Sequence, residues 1–147
     1  MDFDKKDQQI LRLMLDDSRQ SARQMSLKLG LSTVTTISRI KKLEEKKIVR
    51  GYTVRLAHEM LGYDLTAVIE ITTSMGKMLE IENILANHDN VISVYDITGG
   101  SDTLLIAKFK ERSSLSEFVK YISTIPGVEN TVTHIVLNII KEDSRLL

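Results

Sequence analysis

Between Ser32 and Lys42 the chain sets five hydroxyl side chains, Ser32, Thr33, Thr35, Thr36 and Ser38, ahead of long cations that include Arg39 and Lys42. Short hydroxyls give and take hydrogen bonds while letting a backbone come close to its target. Arginine can fork onto a guanine edge and lysine can meet a phosphate. The same residues are poor helix formers, so their presence in an amphipathic segment needs a reason. Other chemistries are absent. There is no cysteine, which removes disulfides, thiolate zinc sites and thiol nucleophiles together. The three histidines, His58, His88 and His134, show no clustered spacing, and neither a metalloprotease motif, a phosphate loop nor a nucleophile elbow is present. We therefore expect no catalytic residues, no metal and no cofactor.

Charge agrees with a polyanionic partner. The chain is neutral as a whole, but residues 1–62 carry 13 Lys+Arg against 8 Asp+Glu and residues 63–147 carry 7 against 12. From Ser18 to Arg55 ten basic residues face only Glu44 and Glu45. Such a concentration is the footprint of a nucleic-acid surface, although a solvated helix face gives the same count. With 147 residues, 42% hydrophobic and 27% charged, the composition is that of a soluble globular protein. No apolar run approaches the roughly 18 residues of a membrane span, and the charged start MDFDKKDQQILRLM is no signal peptide. A cytoplasmic protein without membrane contact is expected.

The elements follow from periodicity and punctuation. Asp4 and Asp7 cap a first helix carrying Ile10, Leu13 and Met14, to about Asp17. Ser21 and Gln24 form a capping box for a second, with Ala22, Met25 and Leu29 on one face and Gly30 as its stop. Ser32 caps a third, to about Lys46, in which Val34, Ile37, Ile40 and Leu43 make an apolar half and Thr35, Ser38, Arg39 and Lys42 a polar one. Three helices with a tight glycine turn predict a helix-turn-helix in residues 1–50. Residues 48–56 read as a strand, and a structured hinge completes residues 51–63. From residue 64 to 147 the order is strand LTAVIEITTS, helix MLEIENILANH, strands VISVYDI and TLLIAKF, a helix opened by a Ser114/Glu117 capping box, and strand TVTHIVLNII. This is the ferredoxin-like βαββαβ order, an α+β fold. One sheet face is left bare, to be paired with a second copy.

On these elements Ser32 has two roles open to it, helix cap and phosphate contact through the helix N-terminus. Arg23, near the start of the second helix, stands where helix-turn-helix proteins cross the DNA backbone.

The ordered set of DKKDQQILRLML, the helix-turn-helix, SRIKKLEEKKIVRGYTVRL, LGYDL, TGGSD and IPGVENTVTHIVL resembles the Lrp/AsnC family of feast/famine regulators over nearly the whole chain. The resemblance implies a transcription regulator that binds double-stranded DNA through its N-terminal module. It also implies a homodimer assembled to an octamer, and a free amino acid bound between dimers at the loop Thr98, Gly99, Gly100, Ser101 and Asp102. Two glycines there can present amides to a carboxylate and Asp102 can hold an ammonium; the same residues also suit a tight hairpin turn. The chain departs from the family pattern at Ser101, where an aromatic is common, and at Lys47, where a glycine commonly follows the third helix. Two other readings stay open. One is an enzyme resembling siroheme decarboxylases, which share this layout; the other is an amino-acid sensor that does not itself read DNA.

Overall fold

The structure, a computed structural model, describes residues 3–147. It divides into two compact units, one spanning the chain to Arg55 together with Lys141–Leu147, the other Leu56–Ile140. The last seven residues, expected in the C-terminal domain, thus lie with the first unit, where Arg55 donates to the carbonyl of Glu142 at 3.2 Å.

The first unit contains α1 (Lys5–Asp16), α2 (Ala22–Leu29) and α3 (Thr33–Glu45). The expected Asp4 cap and the expected Ser21/Gln24 capping box are both formed. Asp4 accepts from the amides of Lys6 and Asp7 at 2.7 and 2.9 Å while Asp7 accepts from Asp4 N–H. Ser21 and Gln24 do the same for α2. Each box satisfies orphan amides that would otherwise have no helical partner. Gly30 closes α2 in the left-handed conformation (φ +64°), and Lys6 Nζ reaches across to the Leu29 carbonyl at 2.8 Å. Ile10, Met25 and Leu43, one from each helix, are buried.

After α3 the chain departs from expectation. Residues 48–56 form no strand: a strand needs a neighbour to complete its ladder, and within the single chain this segment has none, so Tyr52, Val54 and Leu56 stand exposed. Lys47, in the place of the family's glycine, takes φ +58° and is the one non-glycine residue with positive φ among the described residues.

The second unit opens with a short 3₁₀ turn, His58–Leu61, and continues as β1 (Leu65–Thr73), α4 (Met78–Ala86), β2 (Val91–Asp96), β3 (Thr103–Phe109), α5 (Arg112–Thr124) and β4 (Val128–Ile135). The sheet order is β2-β3-β1-β4, with each neighbouring pair antiparallel. Alternation along β1 and β3 turns Ala67, Ile69, Ile71, Leu105, Ala107 and Phe109 to one face, where Ile81 and Leu85 of α4 and Leu115, Phe118 and Ile122 of α5 cover them. Each such aliphatic or aromatic side chain contributes roughly 1.5–3 kcal/mol on burial. The opposite face carries Val68, Glu70, Leu104, Ile106, Val132 and His134 without a covering layer.

Two boundaries differ from those expected. β4 was expected over residues 131–140 but runs Val128–Ile135. Its partner β1 begins at Leu65, so beyond the Val136 N–H bond to Thr66 O no ladder remains; at the other end a bulge at Thr72/Thr73 extends pairing back to Val128. α5 starts at Arg112, ahead of the expected Ser114/Glu117 box. Glu111 is its N-cap and makes no side-chain cap bond, because the chain turns into the helix almost as soon as it leaves β3.

Candidate functional site

The inward line of α3 is Thr36, Ile40 and Leu43, at i, i+4 and i+7, with Thr36 and Leu43 buried and Ile40 half-buried. This corrects the expected apolar half, since Val34 is 77% and Ile37 52% exposed. It also removes Thr36 from the reading face. Thr36 is fully buried and donates its hydroxyl to the Ser32 carbonyl at 3.0 Å, which lets a polar residue pack against the other helices without an unmet hydrogen bond. The outward stripe opposite is Val34, Ser38, Lys41 and Glu45, flanked by Lys42.

The remaining hydroxyls divide by task. Ser32 Oγ accepts from Thr35 N–H at 3.0 Å and lies 2.8 Å from Thr35 Oγ1, so the expected cap is formed. Thr33 Oγ1 lies 3.3 Å from Ser26 Oγ and ties α2 to α3. Ser38, Lys42 and Arg23 are exposed.

Arg39 is engaged within the unit. Its Nη1 donates to Asp4 Oδ2 and to Asp7 Oδ1, both at 2.8 Å. Its partners are the two capping acids of α1. The backbone amide of Asp7 and then the Arg39 guanidinium hold the Asp4 carboxyl below its ordinary range, and the Asp7 and Asp4 carboxylates raise Arg39 above its own. Asp4, Asp7, Thr35, Ser38, Arg39 and Lys42 line one groove of about 760 Å³. The acid pair was visible in DKKD, but nothing in the spacing tied it to a residue 32 positions on.

In the second unit the loop after β2 exposes Thr98, Gly99 and Gly100, with Gly99 at φ +130°. It is closed by Ile97 N–H to Asp102 O at 2.8 Å. Asp102 Oδ2 accepts from Thr73 N–H at 2.7 Å and from the Thr73 hydroxyl at 3.1 Å, so this carboxylate fastens the loop to β1. Ser101 Oγ donates to Glu70 Oε2 at 3.0 Å, and Glu70 Oε1 lies 3.2 Å from His134 Nε2. A chain of polar contacts therefore joins the loop to the bare sheet face, a link that no sequence spacing indicated.

The histidines stay on separate elements. His88 packs against Phe118 with ring centroids 4.4 Å apart and the planes tilted by 50°, His58 meets Tyr63 edge-on, and His134 faces Glu70. Among the described residues no group of His, Asp and Glu could hold a metal, and no helix is long and apolar enough to cross a membrane.

The family is decided by matches along the chain. Residues 3–44 match the AsnC-type helix-turn-helix domain and residues 66–146 the Lrp/AsnC ligand binding domain. This chain belongs to the Lrp/AsnC family. It is a DNA-binding transcriptional regulator that joins a helix-turn-helix to a ligand-binding domain. An uncharacterized HTH-type transcriptional regulator of Pyrococcus furiosus is 46% identical over 99% of both chains, and the regulator FL11 of Pyrococcus abyssi is 35% identical over 98% of this chain and 95% of its own. Among solved Lrp/AsnC-like structures, a transcriptional regulator of Neisseria meningitidis in complex with L-Met superposes with TM-score 0.91 at 28% identity, covering 99% of this chain and 96% of that one. Escherichia coli AsnC has the same fold, with TM-score 0.91 at 24% identity over 97% of each.

Proposed function

We propose that this Lrp/AsnC regulator reads duplex DNA with the outward face of α3 and that a free amino acid, bound at the 98–102 loop between dimers, adjusts how it does so. The observation that carries the reading is the outward stripe itself: Ser38, Lys41 and Lys42 exposed on a helix whose opposite side, Thr36 and Leu43, is buried. A helix so placed can enter a major groove with its N-terminal turns at base edges and its later lysines at phosphates. Arg23 and the N-terminus of α3 at Ser32 and Thr33 supply further backbone contacts. A dimer would set two α3 helices in successive major grooves, about one helical turn or a multiple apart.

Two surfaces support self-association. The bare sheet face presents Val68, Leu104, Ile106 and Val132, and the segment after α3 exposes Tyr52, Val54 and Leu56 with no strand partner. In this reading dimers assemble further, to an octamer. The loop contributes the amides of Gly99 and Gly100 to a ligand carboxylate, while Asp102, already bonded to Thr73, holds the loop in place. The L-Met bound by the Neisseria regulator supports an amino acid as the ligand class.

An effector shifts DNA binding only by favouring one assembly state over another. The test is a screen of the free amino acids, reading melting temperature, particle mass by light scattering and DNA affinity together. At least one amino acid should raise the melting temperature and change mass or affinity. No response to any of them, from a protein that binds DNA, would leave a regulator without this effector.

A further inference from the structure

We infer that Val34 reads the 5-methyl group of a thymine, so that T·A pairs are selected at a fixed position in each half-site. The inference rests on the reading that α3 enters the major groove.

Val34 is the second residue of α3 and is 77% exposed, in line with Ser38, Lys41 and Glu45 on the side opposite Thr36 and Leu43. A β-branched apolar residue at an exposed helical position loses side-chain freedom and gains no burial within the chain. Its neighbours in the first two turns are mostly occupied. Ser32 and Thr35 bond each other, Thr33 faces Ser26, Thr36 is buried, and Arg39 is held by Asp4 and Asp7. Of the five hydroxyls from Ser32 to Ser38, those of Ser32, Thr33, Thr35 and Thr36 are engaged within the unit and that of Ser38 faces solvent. Hydrogen-bond readout from this end of the helix is therefore thin, while an apolar contact is prominent. In the major groove the one apolar group that distinguishes the four bases is the thymine methyl. The basic residues that follow, Lys41 and Lys42, complement the phosphates on either side.

The experiment uses the full chain. Binding sites are first selected from a random duplex library, and each thymine of the selected site is then replaced in turn by deoxyuridine, which removes only the methyl. At one position per half-site uracil should weaken wild-type binding by about three- to tenfold. Val34→Ser, at an exposed position and with wild-type melting expected, should bind the thymine and uracil duplexes alike; Val34→Ala should show the same pattern in reduced form. Indifference of the wild type to uracil at every position overturns the inference. So does a Val34→Ser protein that keeps the full thymine preference, which would assign the contact to another side chain such as Thr35. Selection of no sequence at all, seen before uracil is introduced, removes DNA reading and this inference with it.

Discussion

Arg39 of α3 lies 2.8 Å from the carboxylate of Asp7 on α1, and the Asp7 side chain is only 10% exposed. The bond gives a nearly buried acid its counter-charge and fixes two helices of the DNA-binding unit to each other. Arg39→Ala would strand that acid. Removing one partner of a partly buried pair should cost about 1–2 kcal/mol, less than a fully buried pair because Arg39 is 29% exposed. Thermal or urea melting checks this; an unchanged midpoint would show that the bond does not hold the helices together, and Arg39 would then be free to act as a base-reading residue.

Acid should reveal the other half of the clamp. The Asp4 carboxyl is held below its ordinary value of 3.8 by the Asp7 amide and Arg39. A group whose folded pKa is depressed contributes stability that is present above the unfolded value and is lost as pH falls through the folded one. Asp4→Asn keeps a good cap without the charge, so wild type should be the more stable at pH 6 and the two should converge as pH drops below about 4. Melts across pH 3–6 would read the difference; a gap independent of pH would argue against the charge.

Lys47 occupies the left-handed conformation that an L-residue adopts at a cost of about 1–2 kcal/mol. Lys47→Gly should stabilise the chain by about 0.5–1 kcal/mol once the extra freedom of glycine in the unfolded state is set against it. The same change removes a cation next to α3. If Lys47 also meets a phosphate, the variant should melt higher and bind DNA less dependently on salt, two readouts that need not move together.

Gly127 makes the opposite case. It sits at φ +97°, and a Cβ there would lie 2.7 Å from Lys77 Cβ and 3.2 Å from Ser74 Oγ, while its carbonyl accepts from Ser74 N–H at 2.8 Å. Gly127→Ala should destabilise the second unit by about 2 kcal/mol or more, through strain and crowding together. A melting curve within error of wild type would mean the turn can shift without loss.

Local signals were the legible part of this fold. The Asp4 cap, the Ser21/Gln24 box, the Gly30 stop and the βαββαβ order depend on residues a few positions apart, and each formed as the spacing indicated, whereas the Ser114/Glu117 box did not. What escaped depends on distant partners. The burial of Thr36 and exposure of Val34 follow from how α1 and α2 cover α3, which a helical wheel cannot rank when Thr and Val are similar in size. The strand expected at residues 48–56 has the right residue types but no neighbour in its own chain. Arg39 read as a free cation because its acids stand some 32 to 35 positions away. The bond from Thr73 to the Asp102 carboxylate was not legible because Thr73 lies on another strand.

Binding to duplex across a salt series decides whether the outward face of α3 reads DNA. Wild type should prefer its selected duplex over a scrambled one, with affinity falling steeply as salt rises, and Lys42→Ala should weaken binding to both duplexes and lower the salt slope by about one. Equal, weak binding to both duplexes, or a slope untouched by Lys42→Ala, would contradict it.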